Sequence, residues 1–388
     1  MVTTRVKAGV VSRNFAYNFK QSNTGKIRRA LERAAFQVNA EASNYNNPVF
    51  LHAGDSTTAG AGSGTFNTGT YNLSYNAHSY PTRLAETLAR RYGLAATDGY
   101  WGDRKNNGYD SRVTLGASWL NNSGQISIAG YALNCPNSVT STTNIDFTAA
   151  TNAAQPNFDV IDVWYIQYSG GGTFTVGVDG GAALSTINSG SPATGALVKA
   201  TVTGASLGTH TVNIARTTGG AVYIVGVVPR NSAIRQLINV NGGRGGWKAS
   251  DYASTSNAWS PANGIAAIAP DGMFLNLGIN EGASPDWNAY KASQQITIDK
   301  ALLSGDVVLI VPHWTDTAAV PLVNQQNMAA AIYELAATND LPVFDKQALY
   351  LDRTSQSAQG YVYDTLHNGY TDAYHMAWAL DQALVSPW

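Results

Sequence analysis

Hydrophobic and polar positions along this chain change their period twice, and the changes divide it into three parts. From Lys26 to Ala42, the residues Ile27, Leu31, Ala34, Ala35 and Val38 recur at helical spacing, which predicts an amphipathic helix with Ser22, Asn23 and Thr24 available to cap it. Pro48 to Ala53 is a short apolar run that predicts a buried strand, and Ser79 to Tyr92, with Leu84, Leu88 and Tyr92 on one face, predicts the helix that follows. Between about Arg112 and Pro229 the pattern alternates and is rich in β-branched and aromatic residues. Strands are predicted at Phe158 to Tyr168, Thr173 to Val178, His210 to Ala215 and Ala221 to Val228, with glycine-rich turns such as Asp179-Gly180-Gly181 between them. Apolar runs then return at Gln236 to Val240, Met273 to Leu277, Val307 to Val311 and Pro342 to Phe344, before a closing helix from about Tyr370 to Leu384.

Strands that are apolar throughout are those of a parallel sheet buried on both faces, whereas alternation belongs to antiparallel sheets. The pattern therefore predicts an α/β unit over residues 46–111 and 230–388, interrupted by an all-β sandwich over 112–229 and preceded by a segment of residues 1–45. Two hydroxyl-rich connections, Thr140 to Ala154 and Ser185 to Ala196, read as exposed loops.

Composition narrows the function classes. The 388 residues are 44% hydrophobic, enough for sizeable cores, but only 13% charged, with Gly, Ser, Thr and Asn abundant. A net charge of −1 argues against a nucleic-acid partner, because that affinity rests on many cations neutralising phosphates. Charge is nevertheless uneven, with eight basic side chains (Arg5, Lys7, Arg13, Lys20, Lys26, Arg28, Arg29 and Arg33) against Glu32 and Glu41 in residues 1–44. That segment reads as a solvated helix face with a loose terminus, or as a docking arm for an acidic partner. The single cysteine, Cys135, excludes an intrachain disulfide and reads as an inert buried thiol. No run of eighteen apolar residues is present, so membrane insertion is not expected, and residues 1–20 lack the apolar core of a secretion signal.

Four short stretches carry chemistry. Ser56 follows a predicted strand and a Gly54-Asp55 turn, which would lift its hydroxyl clear of a sheet edge. A serine hydroxyl needs a base to take its proton. His367 is the candidate base, with Asp364 three residues earlier to hold the imidazole's tautomer. The rival His375 and the nearby Asp372 lie in the closing helix and read as packed or surface residues. Asn280 follows the strand Met273 to Leu277 through Gly278, so its amide is a candidate donor to an oxyanion at the same edge. The N–H of Gly246, in Asn241-Gly242-Gly243-Arg244-Gly245-Gly246-Trp247, is a second candidate donor, and the Ser56 N–H a third.

These residues resemble the blocks of the SGNH (GDSL-like) hydrolase family, whose name lists its Ser, Gly, Asn and His. Ser56 matches the nucleophile, Gly246 the second-block glycine, Asn280 the third-block asparagine, and Asp364 with His367 the closing Asp-x-x-His pair. The resemblance covers roughly residues 46–111 and 230–388 and implies a three-layer α/β/α fold with a central parallel sheet. Two departures stand out: Glu281 replaces the family's usual Asp, and the β module makes the separation of Ser56 from Gly246 far longer than is usual. Similar insertions occur in carbohydrate esterases of the superfamily, including deacetylases on bacteriophage tail spikes, which this chain also resembles.

The resemblance implies a serine esterase that removes O-acetyl groups from a capsule or cell-surface polysaccharide, with no metal or organic cofactor. It also implies an extracellular or virion-associated location, a homotrimer, and virion attachment through the N-terminal segment. Trp247, Trp287 and Trp314, each near a site residue in sequence, are candidate platforms for sugar rings. A lipase or thioesterase, or a polysaccharide O-acetyltransferase, would use the same catalytic residues. A glycan-binding protein with incidental catalysis would depend on the β module instead.

Overall fold

The structure, a computed structural model, describes residues 15–36, 47–63, 78–103, 110, 112–120, 124–136, 144–148, 157–193, 195–282 and 284–385. Arg5, Lys7, Arg13 and the part of the predicted first helix beyond Phe36 lie outside them.

A seven-stranded sheet forms the centre, in the spatial order Ala16–Tyr17, Val343–Asp345, Asp306–Val311, Gly272–Asn276, Val49–Gly54, Gln236–Asn241, Ala95–Asp98. Every pairing is parallel except that of the edge strand Ala16–Tyr17, which runs antiparallel to Val343–Asp345. Both faces of this sheet are covered, as the apolar runs predict. Phe50, Phe274, Val308 and Ile310 point to one face and pack with the helices Gln21–Phe36, Tyr80–Tyr92 and Tyr370–Val385. Leu51, Ala53, Met273 and Leu275 point to the other, where they join the helices Pro261–Ile268, Trp287–Leu302 and Leu322–Asn339. The result is the expected three-layer α/β/α arrangement.

The first helix begins at Gln21, five residues before the predicted start. Asn23 acts within the first turn instead of ahead of it, its Oδ1 accepting from the Lys20 N–H at 3.0 Å as the third residue of a capping box does. Two edge strands of the central sheet, Ala16–Tyr17 and Ala95–Asp98, were not predicted, being too short to show a period.

The interrupting segment forms two five-stranded antiparallel sheets. One holds Ala196–Val202, Val160–Gln167, Val222–Arg230 and Tyr100–Trp101, with Leu133–Cys135 also on Val222–Arg230; the other holds Ser185–Asn188, Gly172–Val178, Thr211–Gly219, Ile145–Thr148 and Val113–Leu115. They share one core, to which Ile161, Val163 and Tyr165 point from the first sheet and Phe147, Phe174, Val176 and Ile214 from the second. Tyr100–Trp101 pairs with Val222–Arg230 although it precedes residue 112, where the alternating pattern begins. The two connections expected to be loops are corrected: Ile145–Thr148 and Ser185–Asn188 are strands, paired with Thr211–Gly219 and Gly172–Val178. Their threonines and serines suit a half-exposed pleat, and hydroxyl content alone misread them.

The other face of the first sheet bears Asp162, Trp164 and Ile166, and Ile166 with Leu197 and Val228 packs into the core shared with the α/β unit. The alternation along Val160–Gln167 thus serves two cores, one on each face.

Candidate active site

The strand Val49–Gly54 ends at the C-terminal edge of the sheet and turns directly into the short helix Ser56–Ala59. Gly54 is required there, since a Cβ would lie 2.0 Å from Thr58 Oγ1 and 2.8 Å from the Asn276 carbonyl oxygen. Asp55 caps the helix, its Oδ1 accepting from Thr57 N at 2.9 Å and Thr57 Oγ1 at 2.8 Å. Complete burial raises the Asp55 carboxyl to about 6, against the lowering effect of its bonds to Thr57. Asn276, the last residue of the neighbouring strand, donates its Nδ2 to Thr57 Oγ1 and Thr58 Oγ1, both at 3.1 Å, and so fixes the turn from the side.

Ser56 Oγ lies 2.9 Å from His367 Nε2. The other ring nitrogen, Nδ1, faces Asp364, 2.8 Å from Oδ2 and 3.0 Å from Oδ1. A carboxylate accepts, so Nδ1 carries the proton and the neutral ring presents the Nε2 lone pair to the Ser56 hydroxyl. Partial burial pushes the Asp364 carboxyl up, but its bonds to the His367 ring and to the N–H groups of His367 and Leu366 prevail and bring it down to about 2.

The loop carrying this pair is fastened by residues that the sequence did not single out for this purpose. His313 is buried and donates its Nε2–H to the Leu366 carbonyl at 2.8 Å. Burial lowers its imidazole to about 3, so the ring is neutral there. Arg353 donates to the Trp314 carbonyl at 3.0 Å, to Asn368 Oδ1 at 2.7 Å and to the Asp364 carbonyl. Beneath the loop, Lys346 and Asp372 form a buried ion pair at 2.7 Å, joined by the Tyr350 hydroxyl at 2.5 Å from Asp372. Burial alone would raise the Asp372 carboxyl, but the Lys346 ammonium brings it below its ordinary value. Asp372 thus does lie in the first turn of the closing helix, but as the buried anchor of this cluster. His375 packs on Tyr361 and Trp378, with Nδ1 3.2 Å from the Tyr350 hydroxyl, and stands apart from Ser56. Of the residues that support the site, only Asn276, beside the Ser56 turn, carries a signal that sequence reading could have used, since it ends a strand at the edge that Ser56 occupies.

The glycine-rich loop after Gln236–Asn241 approaches the same turn. Arg244 N donates to the Gly54 carbonyl at 3.0 Å, and a Cβ on Gly243 would lie 2.1 Å from Ala59 N. Gly246 is exposed, with φ of 77°, a left-handed conformation that favours glycine. Asn280 donates Nδ2 to the Trp247 carbonyl at 3.1 Å, which joins the two candidate oxyanion segments. Glu281 braces the loop, its Oε1 accepting from Ala249 N at 2.9 Å.

The three tryptophans are all half-buried. Trp247 meets Tyr252 edge-on with centroids 4.9 Å apart, and Trp287 opens a helix and meets Tyr290 at 5.5 Å. The indole N–H of Trp314 is committed to the Gln347 and Tyr350 carbonyls at 3.1 and 3.0 Å, which ties down the segment leading to Arg353.

Among the described residues, no group of three or more His, Cys, Asp or Glu side chains gathers as a metal site, and no helix is long and apolar enough to cross a membrane.

No family model and no curated protein sequence matches the chain. Solved structures do. An acetylxylan esterase from Geobacillus stearothermophilus is 14% identical over 40% of this chain and 74% of its own, with a TM-score of 0.32. A family two carbohydrate esterase from Cellvibrio japonicus is 11% identical over 74% of this chain and 98% of its own, with a TM-score of 0.27. A peptidoglycan O-acetylesterase is 16% identical over 95% of this chain and 98% of its own, with a TM-score of 0.67. Similarity at that level, over nearly the whole of both chains, shows that this chain shares the fold of that esterase, α/β unit and antiparallel sheets together.

Proposed function

We propose that this protein is a serine esterase that removes O-acetyl groups from a polysaccharide. The observation that carries the reading is the continuous hydrogen-bonded chain from Ser56 Oγ through His367 to the Asp364 carboxylate. In the proposed cycle, Ser56 Oγ attacks the ester carbonyl carbon while His367 Nε2 takes the hydroxyl proton. Asp364 holds the Nδ1 proton and stabilises the imidazolium. The N–H groups of Ser56 and Gly246 and the amide of Asn280 receive the negative charge that develops on the carbonyl oxygen. Collapse of the tetrahedral intermediate breaks the bond to the sugar oxygen, which takes the proton from His367 and leaves as a hydroxyl. Water, deprotonated by His367, then attacks the acetyl-serine; the bond to Ser56 Oγ breaks, Oγ takes the proton from His367, and acetate is released.

The glycan is the finer part of the proposal. It is supported by a composition low in charge and rich in amides and hydroxyls, and by a fold shared with a peptidoglycan O-acetylesterase. Action outside a cell or on a virion, as a homotrimer held by the N-terminal segment, belongs to the same reading, and the mass of the intact protein in solution tests the trimer.

The decisive experiment measures free acetate from O-acetylated peptidoglycan, xylan and capsular polysaccharide with the wild type and Ser56→Ala. Release by the wild type alone is expected. Nitrophenyl esters of increasing acyl length separate the rivals: preference for long chains would overturn the acetyl reading in favour of a lipase. Faster transfer of acetyl to a sugar acceptor than to water would identify an acetyltransferase.

A further inference from the structure

A cavity of about 510 Å³ lies where the outer face of the Val160–Gln167 sheet meets the α/β unit. Its walls include Val49, Ile238 and Ile268, together with Trp101, Trp164 and Lys199. Val49 opens the strand that ends at Gly54, and Val240 lies level with Leu51, so the cavity runs from the edge of the central sheet away from Ser56 to its middle, ending about 10 Å short of Gly54 at about 3.3 Å per strand residue. The volume falls in the range of small-molecule sites, roughly 300–1,000 Å³.

Two features make it more than imperfect packing. The Trp101 ring is fully buried over Gly226, where a Cβ would come within 2.5 Å of it, and forms the floor, its centroid 6.0 Å from that of the half-buried Trp164. Trp164 is the indole left partly open to the cleft, and its face, with aliphatic walls around it, suits the C–H face of a pyranose ring.

Charge sets the second feature. Asp162 is held by Arg230, with Nε at 2.7 Å and Nη2 at 3.1 Å, and accepts from Thr201 Oγ1 at 2.7 Å. Lys199 Nζ lies 3.7 Å from the same carboxylate and 5.8 Å from the Trp164 ring centroid, and its side chain is 44% exposed. One carboxylate between two cations leaves the cluster with a net positive charge, and Lys199 is the cation that faces solvent.

We infer that this cleft is a second binding site, for a sugar residue that carries a carboxylate, set apart from the esterase centre. The ring rests on Trp164, and Lys199 pairs with the acid. The inference takes from the proposed function only that the protein acts on a glycan. A chain held at this edge would be retained while ester groups elsewhere on the same polymer are presented to Ser56, raising their effective concentration.

The test uses the full-length Ser56→Ala protein and isothermal titration with two probes: a tetrasaccharide alternating N-acetylglucosamine with N-acetylmuramic acid, and the neutral tetramer of N-acetylglucosamine. The acidic probe is expected to bind more tightly. Trp164→Ala is expected to weaken both probes about tenfold or more, as loss of a stacking face does. Lys199→Met, at an exposed position that does not threaten folding, is expected to weaken the acidic probe about threefold and leave the neutral one unchanged. In the Ser56 background, neither substitution should alter turnover of nitrophenyl acetate. Absence of binding by both probes, or affinities unmoved by both substitutions, overturns the inference. Should Trp164→Ala fail to fold, the acidic-over-neutral preference in Lys199→Met decides alone. Loss of acetate release from every glycan with cleft binding intact would refute the esterase and leave this site standing.

Discussion

At Asp364 a single carboxylate accepts from one ring N–H and two backbone N–H groups, and these bonds hold it at about 2. It therefore stays ionised across the whole range in which an esterase is assayed, and its work is to fix the imidazole's tautomer. Asp364→Asn keeps the shape but offers an amide N–H to a ring nitrogen that must itself donate. A fall in kcat of roughly 10⁴-fold is expected, against about 10²- to 10³-fold for Asn280→Ala, which removes one oxyanion donor, and steady-state kinetics on nitrophenyl acetate would check both. Asp55 has the opposite electrostatics, since burial raises its carboxyl to about 6. The folded state then binds its proton more tightly than the unfolded chain does, so stability contributed by Asp55 is present below about pH 4 and is lost as pH rises to about 6. Urea midpoints measured from pH 4 to 6 should fall for the wild type, and the fall should be shallower in Asp55→Asn. The Asp364–His367 contact was legible in the sequence because only three residues separate the two, whereas the approach of Ser56 to that ring joins residues 311 apart and no local window shows it. His313 and Arg353 were not legible either, because their value lies in backbone carbonyls of a loop far along the chain, and nothing in their neighbours indicates that contact.

At the scale of elements, the loop from Asp364 to Asn368 is short, partly exposed and poor in apolar contacts, so its shape depends on what grips its carbonyls. His313 takes the Leu366 carbonyl and Arg353 that of Asp364. His313→Leu should lower kcat by about tenfold by releasing the loop, whereas His313→Gln, which retains an N–H donor, should recover most of the activity. Equal losses in both variants would mean that the ring's volume, and not its hydrogen bond, is what matters. The strands of the central sheet were legible as elements because burial on both faces makes them apolar without interruption. The loops Thr140 to Ala154 and Ser185 to Ala196 were misread because half-exposed strands and hydroxyl-rich loops share a vocabulary, and pairing partners, absent from a local window, decide between them.

On the scale of the whole molecule, the composition and the two period changes foretold an α/β unit interrupted by antiparallel sheets. What they could not foretell was how the sheets lie on the unit. That contact arises from the outward residues of Val160–Gln167, and alternation alone gives no reason for a strand to bury both of its faces. The cleft beside Trp164 is a product of this arrangement, and no local motif announces it.

The position of Val49–Gly54, flanked in space by strands from residues 236–241 and 272–276, has a further consequence for synthesis. A nascent polypeptide presents this central strand long before either neighbour exists, while the antiparallel sheets, whose partners are closer in sequence, are complete by Arg230. They should become protected first, with the parallel layer assembling later around a segment that has waited unpaired, since contacts between distant residues form slowly. Pulsed hydrogen exchange during refolding should find amides of Val160–Gln167 shielded before those of Val49–Gly54. The waiting segment, apolar and open at both edges, is then where a chaperone would be most needed.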